Sequence, residues 1–232
     1  MNVNQIVRII PTLKANNRKL NETFYIETLG MKALLEESAF LSLGDQTGLE
    51  KLVLEEAPSM RTRKVEGRKK LARLIVKVEN PLEIEGILSK TDSIHRLYKG
   101  QNGYAFEIFS PEDDRASLVE VGEKPEFQTD LASISLSKFE ISMELHLPTD
   151  IESFLESSEI GASLDFIPAQ GQDLTVDNTV TWDLSMLKFL VNELDIASLR
   201  QKFESTEYFI PKSEKFFLCK DRNNVELWFE EV

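Results

Sequence analysis

The chain has 232 residues, of which 41% are hydrophobic and 29% are charged. This length suffices for one large domain or two compact ones, and the composition is globular, which excludes wholesale disorder. No apolar run is long enough to span a membrane. The N-terminus lacks the pattern of a signal peptide, so we expect a cytoplasmic protein with a surface role only after unconventional release. The single cysteine, Cys219, excludes an internal disulfide and suits a reducing compartment.

The net charge of −13 is unevenly distributed along the chain. Residues 1–125 carry 19 basic and 19 acidic side chains, whereas residues 126–232 carry 8 basic and 21 acidic ones. An acidic surface repels phosphate backbones, so we do not expect nucleic-acid binding. The acidic half is either a solubilising surface or a face that docks a basic partner.

The predicted elements of residues 1–121 follow a βαβββ order twice, and we expect these two units to form one domain. The first unit has a strand at residues 3–11, a helix at residues 14–29 that ends at Gly30, and strands at Ala33–Leu35, Ala39–Leu43 and Glu50–Glu55. The second unit has a strand at Leu71–Val78, a helix at Pro81–Leu88 capped by Asn80, and strands at Ile94–Lys99, Tyr104–Phe109 and Ser117–Val121.

Residues 122–137 have weak periodicity and predict a linker. Residues 138–232 predict a shorter, acidic domain in which the same order of elements returns. Its strands are expected at Phe139–Leu147, Met186–Val191, Glu207–Ile210, Lys215–Cys219 and Val225–Glu231, and its helices at Asp150–Ser157 and Leu194–Phe203. The polar stretch Gly161–Asn178 indicates that one unit of this domain is abbreviated.

A family resemblance lies in three segments, residues 21–31 (NETFYIETLGM), 110–118 (SPEDDRASL) and 219–227 (CKDRNNVEL). The first resembles the helix end, and the other two resemble the last hairpin, of the glyoxalase/bleomycin-resistance/dioxygenase (vicinal oxygen chelate) family. The resemblance implies an α+β fold of paired βαβββ modules in two domains, which often associates as a homodimer. The sequence leaves the oligomeric state open.

The whole chain is also similar to the CppA family of streptococci. That resemblance implies a proteinase that degrades the third complement component, with complement as a partner.

The metal-ligand positions of the glyoxalase-like fold are mostly lost in this sequence. The resemblance places them near Asn4 or Gln5, Glu55, Arg73, Ser117, Ser142, Met186 and Glu226. One carboxylate beside an arginine holds a dication poorly. We therefore predict no metal and no cofactor, which leaves a metal-dependent glyoxalase or dioxygenase as a weaker alternative.

Polar residues alternate with apolar ones in two strands of the second half. If both polar rows line one concave face, Glu144, His146, Glu226 and Trp228 form a pocket for a small ligand. A solvated sheet face has the same pattern and is the simpler interpretation.

A hydrolase needs a nucleophile, a base within reach and an oxyanion hole. Cys219 with His146 is the dyad that the sequence offers, but no cysteine-protease signature surrounds Cys219, and a small buried thiol is the simpler interpretation. No G-x-S-x-G or H-E-x-x-H motif occurs.

Seven basic residues lie between the first two units. They are Arg61, Arg63, Lys64, Arg68, Lys69, Lys70 and Arg73. They predict a solvated loop, a grip for an anionic ligand, or a contact with the acidic half of another chain. From all these features we predict a protein that binds a small ligand or a protein partner, with the complement proteinase as the alternative.

Overall fold

A computed structural model describes residues 4–57, 60–120, 135–148 and 163–232. The strands are β1 (Ile6–Ala15), β2 (Lys32–Glu37), β3 (Phe40–Gly44), β4 (Glu50–Glu56), β5 (Leu71–Val78), β6 (Arg96–Lys99), β7 (Tyr104–Phe109), β8 (Arg115–Glu120), β9 (Phe139–Pro148), β10 (Leu164–Ala169), β11 (Leu184–Val191), β12 (Tyr208–Phe209), β13 (Phe216–Lys220) and β14 (Glu226–Glu231). The helices are α1 (Arg18–Glu22), which continues as a π-helical turn at Thr23–Thr28, α2 (Pro81–Leu88) and α3 (Ile196–Lys202). None of these described helices has the length and hydrophobicity needed to cross a lipid bilayer.

The strands form two sheets, and each sheet combines strands from both halves of the chain. The eight-stranded sheet has the order β12-β13-β14-β11-β1-β4-β3-β2, and the six-stranded sheet has the order β10-β9-β5-β8-β7-β6. The pairs β1–β11 and β5–β9 are antiparallel and join the halves. In three units the first and last strands are parallel neighbours, as β1–β4, β5–β8 and β11–β14. The α+β class with paired βαβββ units is thus confirmed.

The predicted domain limits of 1–121 and 138–232, with a linker at 122–137, stay predictions. Most of that linker, and the helix expected at Asp150–Ser157, lie outside the described residues. Gly161–Asn178 does contain a strand, β10, which we did not predict because Pro168 and the flanking polar residues mask it. Pro168 is tolerated within β10 because this strand lies at the edge of the six-stranded sheet, where a proline nitrogen that cannot donate a hydrogen bond costs little.

The first helix begins later than predicted because β1 continues through Pro11 to Ala15. Asn17 caps the helix, since its Oδ1 accepts a hydrogen bond from the Leu20 amide at 3.0 Å. The π-helical turn then shifts the periodicity of the helix, and Leu20 is 56% exposed whereas Phe24 and Leu29 are buried. Gly30 has a φ of 74° and ends the helix as predicted.

The turns at Ser110–Asp114 and Asp221–Val225 have the same hydrogen-bond pattern, which supports their origin as copies of one motif. In each turn the side chain of the first residue accepts hydrogen bonds from the third and fifth amides, at 2.8–3.2 Å. The fourth residue has a positive φ in both turns, 64° at Asp113 and 58° at Asn224. Glycine would be favoured at this place, and short polar residues are the usual substitutes.

The buried residues form a core against which one face of each sheet packs. In the six-stranded sheet this face includes Leu74, Val76, Phe106, Leu118 and Met143. Because side chains alternate along a strand, the residues between them point to the opposite face. That opposite face carries the polar residues considered next.

Candidate functional site

Cys219 and His146 do not come together as a dyad. Cys219 lies on β13 of the eight-stranded sheet, whereas His146 lies on β9 of the six-stranded sheet. Burial, and to a lesser degree the negative charge of Asp221, raises the pKa of the Cys219 thiol to about 12. The thiol is therefore protonated at neutral pH and is a poor nucleophile. The Nδ1 of His146 lies 2.7 Å from the Lys69 carbonyl oxygen, which can only accept a hydrogen bond.

The four predicted ligand-binding residues are divided between the two sheets. Glu144 and His146 lie on β9, and Glu226 and Trp228 lie on β14. The expectation of one shared face was wrong, because β9 pairs with β5 while β14 pairs with β11. Whether any of the four binds a ligand stays a prediction.

On the eight-stranded sheet, Trp228 is held by its neighbours. Its ring stacks on Phe216 with centroids 3.8 Å apart, and its Nε1 donates a hydrogen bond to Glu230 at 3.1 Å. Glu226 lies opposite Met186 across the β11–β14 pair. Met186 in turn lies opposite Thr12 of β1, so the two residues next to Glu226 along this row are poor ligands for a dication.

On the six-stranded sheet, the face opposite the core carries a cluster that we call the arginine face: Arg73, Glu107, Arg115, Ser117 and Glu144. Its centre is Glu107, which is only 2% exposed although it is charged. The Nη2 of Arg115 donates hydrogen bonds to both Glu107 oxygens at 2.6 Å, and the Nη2 of Arg73 lies 3.5 Å away. These contacts compensate the burial of the carboxylate.

The charges of the arginine face keep Glu107 ionised. Burial acts to raise the pKa of Glu107, but the hydrogen bond and charge of Arg115, then the charges of Arg73 and Arg96, outweigh it and lower the pKa. Arg96 is the cross-strand neighbour of Glu107 on β6. Glu107 is thus a fixed negative group that orients the guanidinium groups around it.

Three buried polar atoms of the arginine face have no hydrogen-bond partner among the described residues. They are the Oγ of Ser117 and the Nε atoms of Arg73 and Arg115. Ser117 is 4% exposed and lies opposite Glu107 on one side and Ile75 on the other. In native proteins such atoms are rare, and each calls for an explanation, such as a bound water, an ion or a ligand.

Sequence reasoning identified Arg73, Ser117 and Glu144 but missed Glu107 and Arg115. The available signal was the single charge of Glu107 between Phe106 and Ile108, since a charged residue inside an apolar strand is rarely buried without a partner.

The basic run between the first two units mainly contacts carboxylates of its own chain. Arg63 makes a two-pronged ion pair with Asp173, at 2.6 and 2.8 Å, and the backbone amide of Lys70 donates to Asp183 at 2.6 Å. Lys69 pairs with Asp114. Arg63 and Lys70 therefore contact acidic residues in the second half of the same chain, whereas Lys69 contacts Asp114 in the first half.

The described part of the chain contains no group of side chains suited to a metal centre. Within residues 4–57, 60–120, 135–148 and 163–232, no three His, Cys, Asp or Glu side chains are grouped closely enough to hold a metal ion.

Comparisons with known proteins agree with this architecture. Two solved structures share the fold at low sequence identity: a candidate dioxygenase from Bacillus subtilis subsp. subtilis str. 168 (13% identity, TM-score 0.62, covering 98% of this chain and 86% of that chain) and glyoxalase I from Zea mays (10%, 0.58, 97% and 92%). At such identities the likeness shows the fold alone. No curated protein has significant sequence similarity to this chain.

The chain has closer sequence similarity to a protein family and to a solved structure of high identity. Residues 8–124 match the CppA N-terminal family, and residues 136–229 match the CppA C-terminal family. The crystal structure named cppA protein from Streptococcus pneumoniae TIGR4 is 94% identical, with a TM-score of 0.93, and covers 99% of this chain and 100% of that chain. The chain therefore belongs to the CppA family, on a glyoxalase/dioxygenase-like fold.

Proposed function

We propose that this protein binds a small ligand on the arginine face and that it does so without a resident metal ion. The observation that carries the proposal is the buried Ser117 hydroxyl, which has no hydrogen-bond partner among the described residues, next to two arginines whose Nε atoms also lack a hydrogen bond there. A buried polar group left unpaired costs about 1–3 kcal/mol. A ligand that pairs with these atoms recovers that cost.

The arginine face is rigid enough to serve as a binding site. Its residues lie on β5, β7, β8 and β9, which are the four interior strands of the six-stranded sheet. Glu107 fixes Arg115 through two short hydrogen bonds, so the guanidinium group is oriented before any ligand arrives. Such preorganisation reduces the entropy that binding would otherwise cost.

The residues at the sheet centre favour binding without a metal. Arg73 occupies a position where the related fold places a metal ligand, and Arg115 lies beside it on the neighbouring strand. Two guanidinium groups repel a divalent cation and attract an electron-rich group instead.

The proposal is tested by ligand-observed NMR with a metabolite library on the full chain after treatment with EDTA. Backbone amide shifts then locate each hit. We expect shifts to concentrate around Arg73, Glu107 and Ser117 and to persist in EDTA. Hits that shift only amides of the eight-stranded sheet, or that require an added divalent metal, contradict the proposal.

A further inference from the structure

We infer that the ligand of the arginine face is a small organic anion, a carboxylate or phosphate ester with an apolar body. The inference rests on the proposed function and adds the chemical class of the ligand. It follows from the charges around Ser117, from the unused hydrogen-bond donors there, and from an exposed aromatic ring at the rim of the face.

The charges around Ser117 favour an anion. The guanidinium groups of Arg73 and Arg115 contact the carboxylates of Glu107 and Glu144, and the exposed Arg96 adds a third positive charge opposite Glu107. The local excess is therefore positive, in a protein whose net charge is −13. Of the other carboxylates on this face, Glu140 is paired with Lys51 at 2.8 Å, and Asp165 is exposed on the edge strand β10 beside Glu144.

The unused groups also match an oxyanion. Arginine has no acceptor, so the Nε atoms of Arg73 and Arg115 can pair only with an electron-rich atom. The Ser117 hydroxyl can donate to the same oxygen or to its neighbour. Glu144 does not satisfy Arg73, because its carboxylate lies 3.3 Å from Nε without the geometry of a hydrogen bond. Charge-assisted hydrogen bonds to carboxylate or phosphate oxygens are about twice as strong as neutral ones.

An apolar rim adjoins these donors. Phe109 lies opposite Arg115 across the β7–β8 pair and is 43% exposed. Its ring contacts His95, with centroids 4.9 Å apart. Ile75 lies next to Ser117 on the other side and is half-buried. An anion bound at Arg115 and Ser117 therefore places its remaining atoms beside apolar side chains, which favours an organic acid over an inorganic ion.

Four probes separate the alternatives: benzoate, its neutral analogue benzamide, phenyl phosphate, and inorganic phosphate. Each is titrated into isotope-labelled full chain, and backbone amide shifts are followed. We expect benzoate or phenyl phosphate, whichever headgroup the site prefers, to shift the amides of residues 105–109 and 115–118 with saturation. Benzamide and inorganic phosphate should shift them far less.

Variants connect those shifts to the named side chains. Ser117→Ala should weaken binding several-fold, and Arg115→Gln should weaken it about tenfold or more, since it removes a charge-assisted hydrogen bond. Arg61→Gln is the matched control, because Arg61 is an exposed arginine outside the face, and its affinity should be unchanged. Arg115→Gln also removes the ion-pair partner of Glu107, so the fold of this variant is checked by circular dichroism. If Arg115→Gln does not fold, the test rests on Ser117→Ala.

Several outcomes overturn the inference, and they are distinct from failure of the proposed function. Equal binding of benzamide shows a site that does not select charge, and leaves ligand binding on this face intact. Equal binding of inorganic phosphate removes the role of the apolar rim. Shifts by none of the four probes refute the anion, and the metabolite library then decides whether this face binds anything.

Discussion

Arg73 of β5 lies directly opposite Glu144 of β9, and its Nε is 3.3 Å from the Glu144 carboxylate. This pair is the lateral boundary of the arginine face. Both side chains are about one quarter exposed, so the pair itself contributes little to stability, about 0–1 kcal/mol. Its consequence for binding is larger, because Glu144 is a built-in competitor for the guanidinium group.

Replacing Glu144 by glutamine should therefore strengthen binding of the preferred anionic probe several-fold, because a competing negative charge is removed while the shape is kept. Isothermal titration calorimetry measures the change. Glu204→Gln is the control for net charge, because Glu204 is exposed and follows α3, outside the arginine face. This variant should leave the affinity unchanged. A weaker affinity of Glu144→Gln would show that Glu144 itself holds the ligand.

The Cys219 thiol should react very slowly with a thiol reagent in the folded protein. It is 2% exposed, and its pKa of about 12 keeps the thiolate fraction small at neutral pH. Reaction with a chromogenic disulfide reagent, followed spectroscopically, should be fast in urea and nearly absent without it. Rapid stoichiometric labelling of the native chain would contradict the burial of this thiol.

The complement proteinase implied by the family resemblance should not depend on Cys219 and His146, because the two residues lie in different sheets. Purified third complement component is incubated with the wild type and with the Cys219→Ala, His146→Ala double variant, and the products are separated on a gel. We expect the same result from both proteins. Cleavage by the wild type alone would contradict this prediction, because it would show that Cys219 or His146 is needed for cleavage.

Replacing Asp221 by asparagine should stabilise the protein at neutral pH. Burial raises the pKa of Asp221 from 3.8 to about 6, against the opposing hydrogen bonds from the amides of Val225 and Asn223. A raised carboxyl pKa means that the folded state binds the proton more tightly. Stability from this group is therefore full below pH 3.8 and is lost as the pH rises to about 6. The loss corresponds to about 3 kcal/mol.

Asparagine keeps the Oδ1 acceptor that both amides use, so the turn is retained. Urea denaturation between about pH 4 and 8 measures the effect, with Asp92→Asn as the matched exposed control. As the pH rises, the free energy of unfolding should decrease less for Asp221→Asn than for the wild type. An identical pH dependence in both proteins would show that Asp221 titrates normally.

The sequence predicted the repeated units well, because each unit carries its own local signals. Asn80 caps α2 as expected, with its Oδ1 accepting from the Leu82 amide, and Gly30 ends the first helix. These signals lie within a few residues of the elements that they define. The π-helical turn before Leu29 was missed because it breaks the usual period without any proline or glycine inside it.

The site was harder to predict because it depends on which strands become neighbours. Alternation correctly assigned Glu144 to the face opposite Met143, but it carried no information that β9 pairs with β5. The grouping of Glu144 with Glu226 was wrong for that reason. Glu107 and Arg115 are neighbours only through the β7–β8 hairpin register, which a single sequence does not fix when the turn is irregular.

The antiparallel seams β1–β11 and β5–β9 make the two halves of the chain mutually dependent. A fragment that stops after the N-terminal family match would present β1 and β5 as bare, apolar edges, which are templates for aggregation. The complementary fragment would carry Asp173 and Asp183 without the Arg63 and Lys70 groups that satisfy them. Separately expressed halves should therefore be poorly soluble, and co-expression should restore a non-covalent complex by fragment complementation.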